Sequence, residues 1–325
     1  MWNKILNKLL LLLIPSILLS CSMDFNLRDG NQTVYKGSEH WMQEIDDDIL
    51  IRNMTIPGTH DTCAQHDFFA LSSTAAAQDL SLNELLYAGV RQVDIRLYYN
   101  GSYCEIHHGI TYQYMSFDDV LNICYAFLEA NPTETIIFVI KSEWKCEDSD
   151  ICPSVEEAVT ADSDKWITTT DATSLTLGTC RGKCVLVKRF SGLNSYGIPR
   201  GSGTGQLHQV DDACTSDLTT YWTNLYNDLE DQLGNSTEPF TIVWSSAYFE
   251  GQFGIPNIRM VSSSVNPKLE AYLDGSNTTG SSLAYTQCHL GMIGVDHITR
   301  RLAYKIYRTN FTNDTYDENS ENYHN

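Results

Sequence analysis

The chain has 325 residues, of which 42% are hydrophobic and 11% aromatic, so it can form the core of one large barrel or of two modest domains. Its formal net charge of -20 excludes a broad basic surface, and because polyanion binding depends on clustered Lys and Arg we expect no nucleic-acid partner. An anionic ligand would need a local cationic pocket within this acidic shell.

The first predicted element is an export signal over residues 1–22. Two lysines precede the apolar run Leu9–Leu19, which is too short to cross a bilayer securely. Its end has two interpretations. Leu18–Cys21 resembles a bacterial lipobox, in which Cys21 would be lipidated, and the same region fits ordinary cleavage after Ser22. We therefore expect a secreted or extracytoplasmic protein, with a lipid anchor on Cys21 under the first interpretation.

Ten cysteines favour an oxidising compartment and disulfides. Cys146 with Cys152, and Cys180 with Cys184, are close enough in sequence to close small loops. A four-cysteine zinc site is the alternative, but the paired Cys-x-x-Cys spacing is missing. Seven glycosylation sequons favour eukaryotic secretion, whereas the lipobox favours a bacterial source, and the sequence leaves both open. The sequons begin at Asn31, Asn53, Asn100, Asn235, Asn277, Asn310 and Asn313.

Eight short apolar runs predict strands. They are Ile49–Thr55, Val90–Leu97, Ser102–His107, Thr135–Lys141, Lys183–Arg189, Gln206–Val210, Phe240–Ser245 and Gly291–Val295. Helices or long crossovers between them predict a parallel α/β fold, a single distorted TIM-like (β/α)8 barrel over residues 35–309 with a polar tail over 310–325. A doubly wound open sheet is the alternative, weakened because no Gly-rich phosphate motif follows the first strand.

Two helices are marked by capping boxes, in which a Ser and an acidic residue three positions later satisfy each other's backbone donors. The first box is Ser81–Glu84, and its helix can end at Gly89 in the left-handed conformation. The second is Ser116–Asp119, and Asn131–Pro132 ends that helix. A β-branched run follows each helix, which is the rhythm of an eight-stranded barrel.

Reactive side chains end or directly follow almost every predicted strand. They are His60 and Asp61, Asp94 and Arg96, His107 and His108, Lys141, Lys188 and Arg189, Asp211 and Asp212, and Asp296 and His297. In a parallel barrel these positions share the C-terminal face, where catalytic groups converge. Surface charges scattered at random would not recur at strand ends in this way.

These segments resemble the phosphatidylinositol-specific phospholipase C X-domain family, in its bacterial, metal-independent type. Thr55–Thr62 is similar to the first family signature, and Val93–Arg96 and His107–Gly109 are similar to the second and third. The resemblance spans roughly residues 40–300. Three further stretches resemble bacterial members: Ile136–Glu143, Gly182–Gly192 and Ser262–Leu273.

The resemblance implies a lyase that converts phosphatidylinositol or glycosylphosphatidylinositol (GPI) into diacylglycerol and inositol 1,2-cyclic phosphate. It implies that His60 is the base on the inositol 2-hydroxyl, and that His108, coupled to Asp61, is the acid that protonates the diacylglycerol oxygen. Asp296 would hold the tautomer of His60, and Arg96 would clamp the phosphate. Imidazole suits both roles because its pKa lies near neutrality.

Lys141, Arg189 and Asp212 are predicted substrate contacts, with rim salt bridges as the structural alternative. Bacterial members carry an aromatic residue two positions after the inositol-binding Asp. Cys214 takes that position if the Asp is Asp212, and a register based on Asp211 gives no aromatic either. Bacterial members stack the inositol ring on this aromatic residue. Without it, the head group would be altered, glycosylated or held differently.

The second signature argues against a metal. Calcium-dependent relatives place an Asn after the first His and an acidic-x-acidic pair in the second motif, where this chain has Asp61 and Asp94–Arg96. Calcium needs several oxygen ligands, and Arg96 puts a cation in a ligand position. We expect no metal and no cofactor. The sequence leaves Asp94 open as a ligand or an internal partner, whereas His107 and His297 are predicted to be structural.

Phe69 and Phe249 are predicted membrane contacts in rim loops, with core packing as the alternative. The expected partner is a phosphoinositide or GPI lipid in a membrane interface, and the chain is expected to be a monomer. Two other functions stay open. One is a metal-dependent phosphodiesterase of the glycerophosphodiester or sphingomyelinase D kind. The other is a binding protein for lipid head groups without turnover.

Overall fold

The computed structural model describes residues 37–68, 73–210, 213–233, 240–250, 256–275 and 288–311. The predicted signal segment with Cys21, together with Phe69 and Asp212, lies outside the described residues. None of the described helices combines the length and the apolar composition needed to cross a bilayer.

Helices and strands alternate along most of the described chain, with three short 3₁₀ helices at Ser38–Glu44, Ile51–Asn53 and Ser163–Lys165. The α-helices are α1 (Leu82–Tyr87), α2 (Phe117–Ala130), α3 (Asp148–Ala161), α4 (Leu177–Cys180), α5 (Leu218–Leu233), α6 (Ile258–Leu273) and α7 (Arg300–Arg308). The strands are β1 (Thr55–Thr59), β2 (Gln92–Tyr99), β3 (Cys104–His108), β4 (Thr111–Ser116), β5 (Ile136–Ser142), β6 (Trp166–Ile167), β7 (Cys184–Lys188), β8 (Ile198–Pro199), β9 (Leu207–Val210), β10 (Ala213–Thr215), β11 (Phe240–Ser245), β12 (Ala247–Glu250), β13 (Pro256–Asn257) and β14 (Gly291–Val295).

Eight parallel strands form a curled sheet in the order β6-β7-β5-β2-β1-β14-β11-β9. Strand β8 pairs with the later part of β7, beyond the part that pairs with β6. Arg200, which follows β8, bridges in parallel to Leu207 at the start of β9, and Gly201 N donates to the Leu207 carbonyl at 3.0 Å. In the described part of the chain these two contacts join the edges of the sheet. The predicted distorted TIM-like barrel is thereby confirmed.

Two of the strand predictions need correction. The run Ser102–His107 is not a barrel strand, because β3 turns back antiparallel to β2, with Leu97 opposite Ile106, and continues as a hairpin with β4. The run Ile49–Thr55 ends where β1 begins. The rest of β1 was missed because it contains Pro57 and Gly58, which usually interrupt strands. Gly58 is needed here because a Cβ at this position would collide with the Gln92 side chain.

Side chains alternate between the barrel interior and the outer layers. Val93, Ile95 and Leu97 of β2 pack outward against α2, so the intervening positions of β2, including Asp94 and Arg96, face the interior. Below them, the interior is filled by apolar residues from β1, β5, β7, β11 and β14. The barrel is therefore packed at its N-terminal end and polar at its C-terminal end.

Both predicted capping boxes are present, at the starts of α1 and α2. The tail prediction needs correction at its first residues. The Asn310 side chain accepts from Thr55 N at 2.8 Å and donates to the Thr55 carbonyl at 2.7 Å, and Phe311 is buried in the apolar interior cluster. Asn310 and Phe311 therefore belong to the packed domain, where they cover the N-terminal end of β1.

The structure gives no support to the expected small disulfide loops. All nine cysteines in the described ranges are unpaired. Cys180 packs in the interior cluster and Cys184 in the outer cluster against α2, so the two thiols lie in separate apolar layers. Cys146 Sγ accepts from Tyr99 N at 3.3 Å, whereas the Cys152 thiol lies against the Asp148 carbonyl at 3.2 Å.

Candidate active site

The five predicted catalytic residues converge at the C-terminal end of the barrel. The parallel register of β1 and β14 places Thr59 beside Val295. His60 and Asp296 directly follow these two residues and are therefore neighbours. Arg96 reaches the same end from β2. His108 arrives by a different route from the one expected, because the antiparallel strand β3 returns it to the rim.

Hydrogen bonds fix the tautomer of His60. Arg96 Nη2 lies 2.5 Å from His60 Nε2, and since a guanidinium can only donate, Nε2 must be the acceptor. Nδ1 therefore carries the proton and donates to Asp296 Oδ1 at 2.9 Å. His60 is thus neutral, with its basic nitrogen directed toward the guanidinium and its protonated nitrogen held by a carboxylate.

His108 is held in the same tautomer by a different group. Its Nδ1 lies 2.7 Å from the Ala75 carbonyl, which can only accept, so Nδ1 donates. The Nε2 atom lies 3.5 Å from Asp61 Oδ2. His108 therefore carries a proton on Nε2 only when the whole imidazole is positively charged, which is the form that a general acid requires.

Arg96 joins the groups of the site. Its Nε atom lies 2.7 Å from Asp61 Oδ1 and 3.1 Å from Asp94 Oδ2, and Nη1 lies 3.2 Å from Glu143 Oε2. The guanidinium thus contacts three carboxylates in addition to His60. Its side chain is 7% exposed, so these interactions are only weakly screened by water.

Asp61 combines an unusual backbone conformation with a buried oxygen that lacks a hydrogen bond to any described residue. Its φ of 44° lies in the left-handed region, which is uncommon for a residue other than glycine. Oδ2 makes no hydrogen bond in the described structure, although His60 Nδ1 is 3.8 Å away and His108 Nε2 is 3.5 Å away. Burial raises the pKa of Asp61, opposed by the positive charge of Arg96. Such strain and an unsatisfied buried oxygen are typical of functional sites.

Asp94 is an internal partner of the arginines. Its carboxylate accepts from Asp61 N at 3.0 Å and from Arg189 Nη1 at 3.2 Å, as well as from Arg96. Burial alone would raise the pKa of Asp94, but the two guanidinium groups outweigh it and hold the pKa well below its usual range. Asp94 therefore stays ionised and orients Arg96 and the backbone of the first signature.

The predicted substrate contacts differ in their exposure. Lys141 Nζ is partly exposed and lies 3.5 Å from Glu143 Oε2. The Arg189 side chain is 5% exposed, pairs with Asp94 and lies over the Trp244 ring at 5.0 Å. Within the described structure, Lys141 is thus the more accessible cation. Both residues remain predicted substrate contacts.

Three supporting residues were missed by the sequence analysis. Glu143 binds Arg96 and accepts from Gly109 N at 3.3 Å, which links β5 to the β3 hairpin. Gln78 Nε2 donates to the His60 carbonyl and to the Val295 carbonyl, each at 2.8 Å. The Trp244 ring packs edge-on against His60 at 5.3 Å. Glu143 follows β5 and could have been included on strand position, whereas Gln78 lies in no recognisable motif.

His107 and His297, predicted to be structural, each have an acidic neighbour away from the catalytic cluster. His107 Nε2 lies 3.3 Å from Glu105 Oε2, and its ring packs between aromatic side chains of β2 and β4. His297 Nδ1 lies 3.3 Å from Asp79 Oδ2. Cys63, which follows the first signature, is also excluded as a nucleophile, because burial raises its thiol pKa to about 12.

Phe249, a predicted membrane contact, lies in β12, which belongs to a small second sheet with β10 and β13. This sheet follows the C-terminal end of β11 and so lies on the side of the catalytic cluster. Phe249 is half-buried and packs against the outer cluster of α5, α6 and α7, whereas the adjacent Tyr248 is 43% exposed. The predicted membrane contact of Phe249 stays a prediction.

The donor set of the site suits a guanidinium better than a metal ion. The space between Asp61 and Asp94 is occupied by Arg96 Nε, at 2.7 and 3.1 Å. Across the described ranges no group of three or more His, Cys, Asp or Glu side chains has the arrangement of a metal site. The charge that would stabilise an anion here comes from Arg96.

Part of the chain matches a known protein family. Residues 54–189 match the family model of the phosphatidylinositol-specific phospholipase C X domain. The 1-phosphatidylinositol phosphodiesterase of Listeria monocytogenes is 31% identical over 159 residues, which make up 46% of this chain and 49% of that protein. The protein of the same name from Staphylococcus aureus is 28% identical over 152 residues, 45% of either chain. These matches span about half the length of the curated relatives.

Solved structures match over a longer part of the chain. Phosphatidylinositol-specific phospholipase C from Listeria monocytogenes superposes with a TM-score of 0.70 at 24% identity, covering 84% of this chain and 98% of that chain. A pentafluoro-Phe form of the Staphylococcus aureus enzyme gives a TM-score of 0.71 at 19% identity, covering 86% and 99%. At these identities the likeness shows a shared fold.

Proposed function

We propose that the protein is a phosphodiesterase that cleaves phosphatidylinositol or a glycosylphosphatidylinositol, because residues 54–189 match the model of the phosphatidylinositol-specific phospholipase C X-domain family, as the motifs predicted. The observation that carries the proposal is the pair His60 and His108. Their Nε2 atoms face one buried cluster, one as a hydrogen-bond acceptor beside Arg96 and the other beside Asp61. A base and an acid on the two sides of one phosphate are what this cleavage requires.

In the proposed reaction, each of the two imidazoles acts through its Nε2 atom. His60 Nε2 removes the proton of the inositol 2-hydroxyl, and the resulting oxygen attacks phosphorus. The bond from phosphorus to the diacylglycerol oxygen breaks, and protonated His108 gives its Nε2 proton to that oxygen. The products are diacylglycerol and inositol 1,2-cyclic phosphate, with one proton moved from His108 to the leaving oxygen and one gained by His60.

In this proposed reaction Arg96 binds the phosphate. In the structure its Nη2 contacts His60 Nε2, so a bound 2-hydroxyl must take that position and turn the guanidinium toward the phosphate oxygens. Asp61 and Asp94 hold Nε in place during this change. The fixed cation stabilises the charge that develops on phosphorus-bound oxygen, so the proposed reaction needs no metal or other cofactor.

A lipid substrate would bring the protein to a membrane interface. We therefore propose export by the segment 1–22, with or without an anchor on Cys21, and contact of Phe69 and Phe249 with lipid. Half-burial of Phe249 beside the exposed Tyr248 supports a rim that is apolar yet reachable.

The test is incubation of the full-length protein with vesicles containing phosphatidylinositol or a GPI lipid, in excess chelator, with phosphorus NMR and lipid extraction as readouts. We expect diacylglycerol and cyclic phosphate to appear together, and the variant His60→Ala to form neither. Turnover that stops in chelator and returns with a divalent ion would support the metal-dependent alternative. Binding without turnover would support the head-group binder.

A further inference from the structure

The carboxylate of Asp67 lies outside the catalytic cluster, yet it is bound by four consecutive backbone amides. Oδ2 accepts from Ser73 N at 2.7 Å, and Oδ1 accepts from Thr74 N, Ala75 N and Ala76 N at 2.8, 2.9 and 2.8 Å. A concave run of backbone N–H groups of this kind binds an anion. Here the anion is the carboxylate of Asp67 itself.

The segment that Asp67 organises, Ser73–Gln78, contacts both catalytic histidines. The Ala75 carbonyl accepts from His108 Nδ1 at 2.7 Å, and Gln78 Nε2 donates to the His60 carbonyl at 2.8 Å. The far end of the segment is anchored separately, because the Ala77 carbonyl accepts from His297 N at 2.6 Å. The segment is also held by the Ser73 carbonyl, which accepts from Ile258 N at 3.0 Å. The Ala76 N–H bound by Asp67 belongs to the same peptide group as the Ala75 carbonyl, so Asp67 directly constrains the orientation of that carbonyl.

We propose that Asp67 is a positioning residue for the general acid: by binding the amides of Ser73–Ala76 it directs the Ala75 carbonyl at His108 Nδ1 and so reserves Nε2 for the transferable proton. The proposal rests on the proposed function, in which His108 protonates the leaving oxygen. Asp67 acts through the backbone and touches no substrate. The backbone hydrogen bonds also lower the pKa of Asp67 against the effect of its partial burial, so the carboxylate stays charged at neutral pH.

The first measurement is the tautomer of His108, read by nitrogen-15 NMR at a pH where the imidazole is neutral. In the parent, Nδ1 should carry the proton. In Asp67→Ala the signals should move toward the tautomer mixture of a free imidazole, while His60, held by Asp296, keeps its parent signals and serves as an internal control. An unchanged His108 tautomer in folded Asp67→Ala would overturn the proposal, and this result does not depend on turnover.

The second measurement is kinetic and uses two soluble inositol phosphodiesters, one with an alkyl and one with a p-nitrophenyl leaving group. The alkyl oxygen needs a proton to leave, whereas p-nitrophenolate does not. Asp67→Ala should therefore lower kcat on the alkyl substrate about tenfold, part of the roughly 10²–10⁴-fold effect of a general acid, and change kcat on the aryl substrate less than about twofold. Equal losses on both substrates would mean that Asp67 has a merely structural role.

The matched control is Asp119→Ala, which removes another carboxylate that accepts a backbone amide, from Ser116 N at 2.9 Å. It should change neither the tautomer of His108 nor the ratio of the two rates. If Asp67→Ala does not fold, Asp67→Asn keeps one acceptor oxygen and should show a smaller change in the same direction. A parent protein that cleaves neither substrate would contradict the proposed function, and the tautomer would still decide the role of Asp67.

Discussion

Two arginines lie near opposite ends of strand β2, in surroundings of opposite kinds. Arg91, beside the N-terminal end, donates from Nε to Glu134 and from its two Nη atoms to four backbone carbonyls, and both charged side chains are 0% exposed. Arg96, near the C-terminal end, contacts three carboxylates and the acceptor nitrogen of a histidine.

This difference indicates a structural role for Arg91 and a ligand-binding role for Arg96. Every donor of Arg91 has an acceptor within the protein, and the Phe127 ring covers its guanidinium at 4.6 Å. Arg91 therefore stabilises the N-terminal end of the barrel and has no donor left for a ligand. Arg96 directs its Nη2 donor at an uncharged acceptor, His60 Nε2, and not at a carboxylate. A substrate phosphate can therefore take up this donor without displacing an ion pair. The N-terminal end of the barrel is expected to govern stability, and the C-terminal end activity.

The largest expected effect is at the C-terminal end. His60→Ala and His108→Ala should each lower turnover of phosphatidylinositol by about 10²–10⁴-fold, because each removes a group that we propose to transfer a proton. Melting temperatures should stay close to that of the parent. Turnover near the parent level in either folded variant would remove that residue from the mechanism.

The next effect is at the N-terminal end. Arg91→Met leaves the Glu134 carboxylate buried without its cation, which typically costs about 3–5 kcal/mol in free energy of unfolding. Denaturant unfolding should show this loss, while kcat per folded molecule should stay within about twofold of the parent. A folded Arg91→Met protein with a large loss of kcat would show that the two ends are not separable.

A smaller effect depends on pH. The pKa of Asp94 is lower in the folded than in the unfolded protein, so its ionisation stabilises the fold above its unfolded pKa, and this stability is lost as pH falls toward the folded pKa. Between about pH 5 and 2 the parent should lose up to about 1.4 kcal/mol per pH unit from this carboxylate. In Asp94→Asn that slope should be absent, and the protein should be less stable at pH 7. Glu157→Gln, on the outer helix α3, is the control, and an equal change of slope there would contradict the account.

The smallest effect is expected from replacing an aromatic residue at the C-terminal end of the barrel, compared with one at the N-terminal end. Phe249→Ser should weaken binding to phosphatidylinositol vesicles, by up to about 1.5–3 kcal/mol if the ring is fully buried in lipid. Tyr87→Ser, at the C-terminal end of α1 and hence at the opposite end of the barrel, should not. Hydrolysis of soluble inositol cyclic phosphate should be unchanged in both. Equal losses of both activities in Phe249→Ser, with a lower melting temperature, would show that Phe249 is a core residue.

Sequence reasoning reached the residues that carry family signatures and missed several residues that hold them in place. His60, Arg96 and His108 could be found because their motifs adjoin strand patterns. The antiparallel return of β3 could not be predicted, since an apolar run does not reveal the direction of its pairing. Strand β8 has two residues, one of them Pro199, and gives no periodic pattern.

Long-range contacts explain the remaining misses. Asp67 and Gln78 are recognisable only from the backbone groups that they bind, and these depend on how the loop folds against β1 and β14. The unpaired cysteines illustrate the same limit. Closeness in sequence suggested Cys180 and Cys184 as partners, but the intervening chain enters β7 and sends the two side chains to different layers.

The most direct test of the account is the leaving-group dependence of the two histidine variants on soluble alkyl and p-nitrophenyl inositol phosphodiesters. His60→Ala should lose turnover on both, because each reaction needs the 2-hydroxyl to be deprotonated. His108→Ala should lose about 10²–10⁴-fold on the alkyl substrate and keep most of its rate on the aryl one. Equal losses in His108→Ala, or selective loss in His60→Ala, would contradict the proposed roles of His60 as base and His108 as acid, which rest on the hydrogen bonds to Arg96 and Ala75.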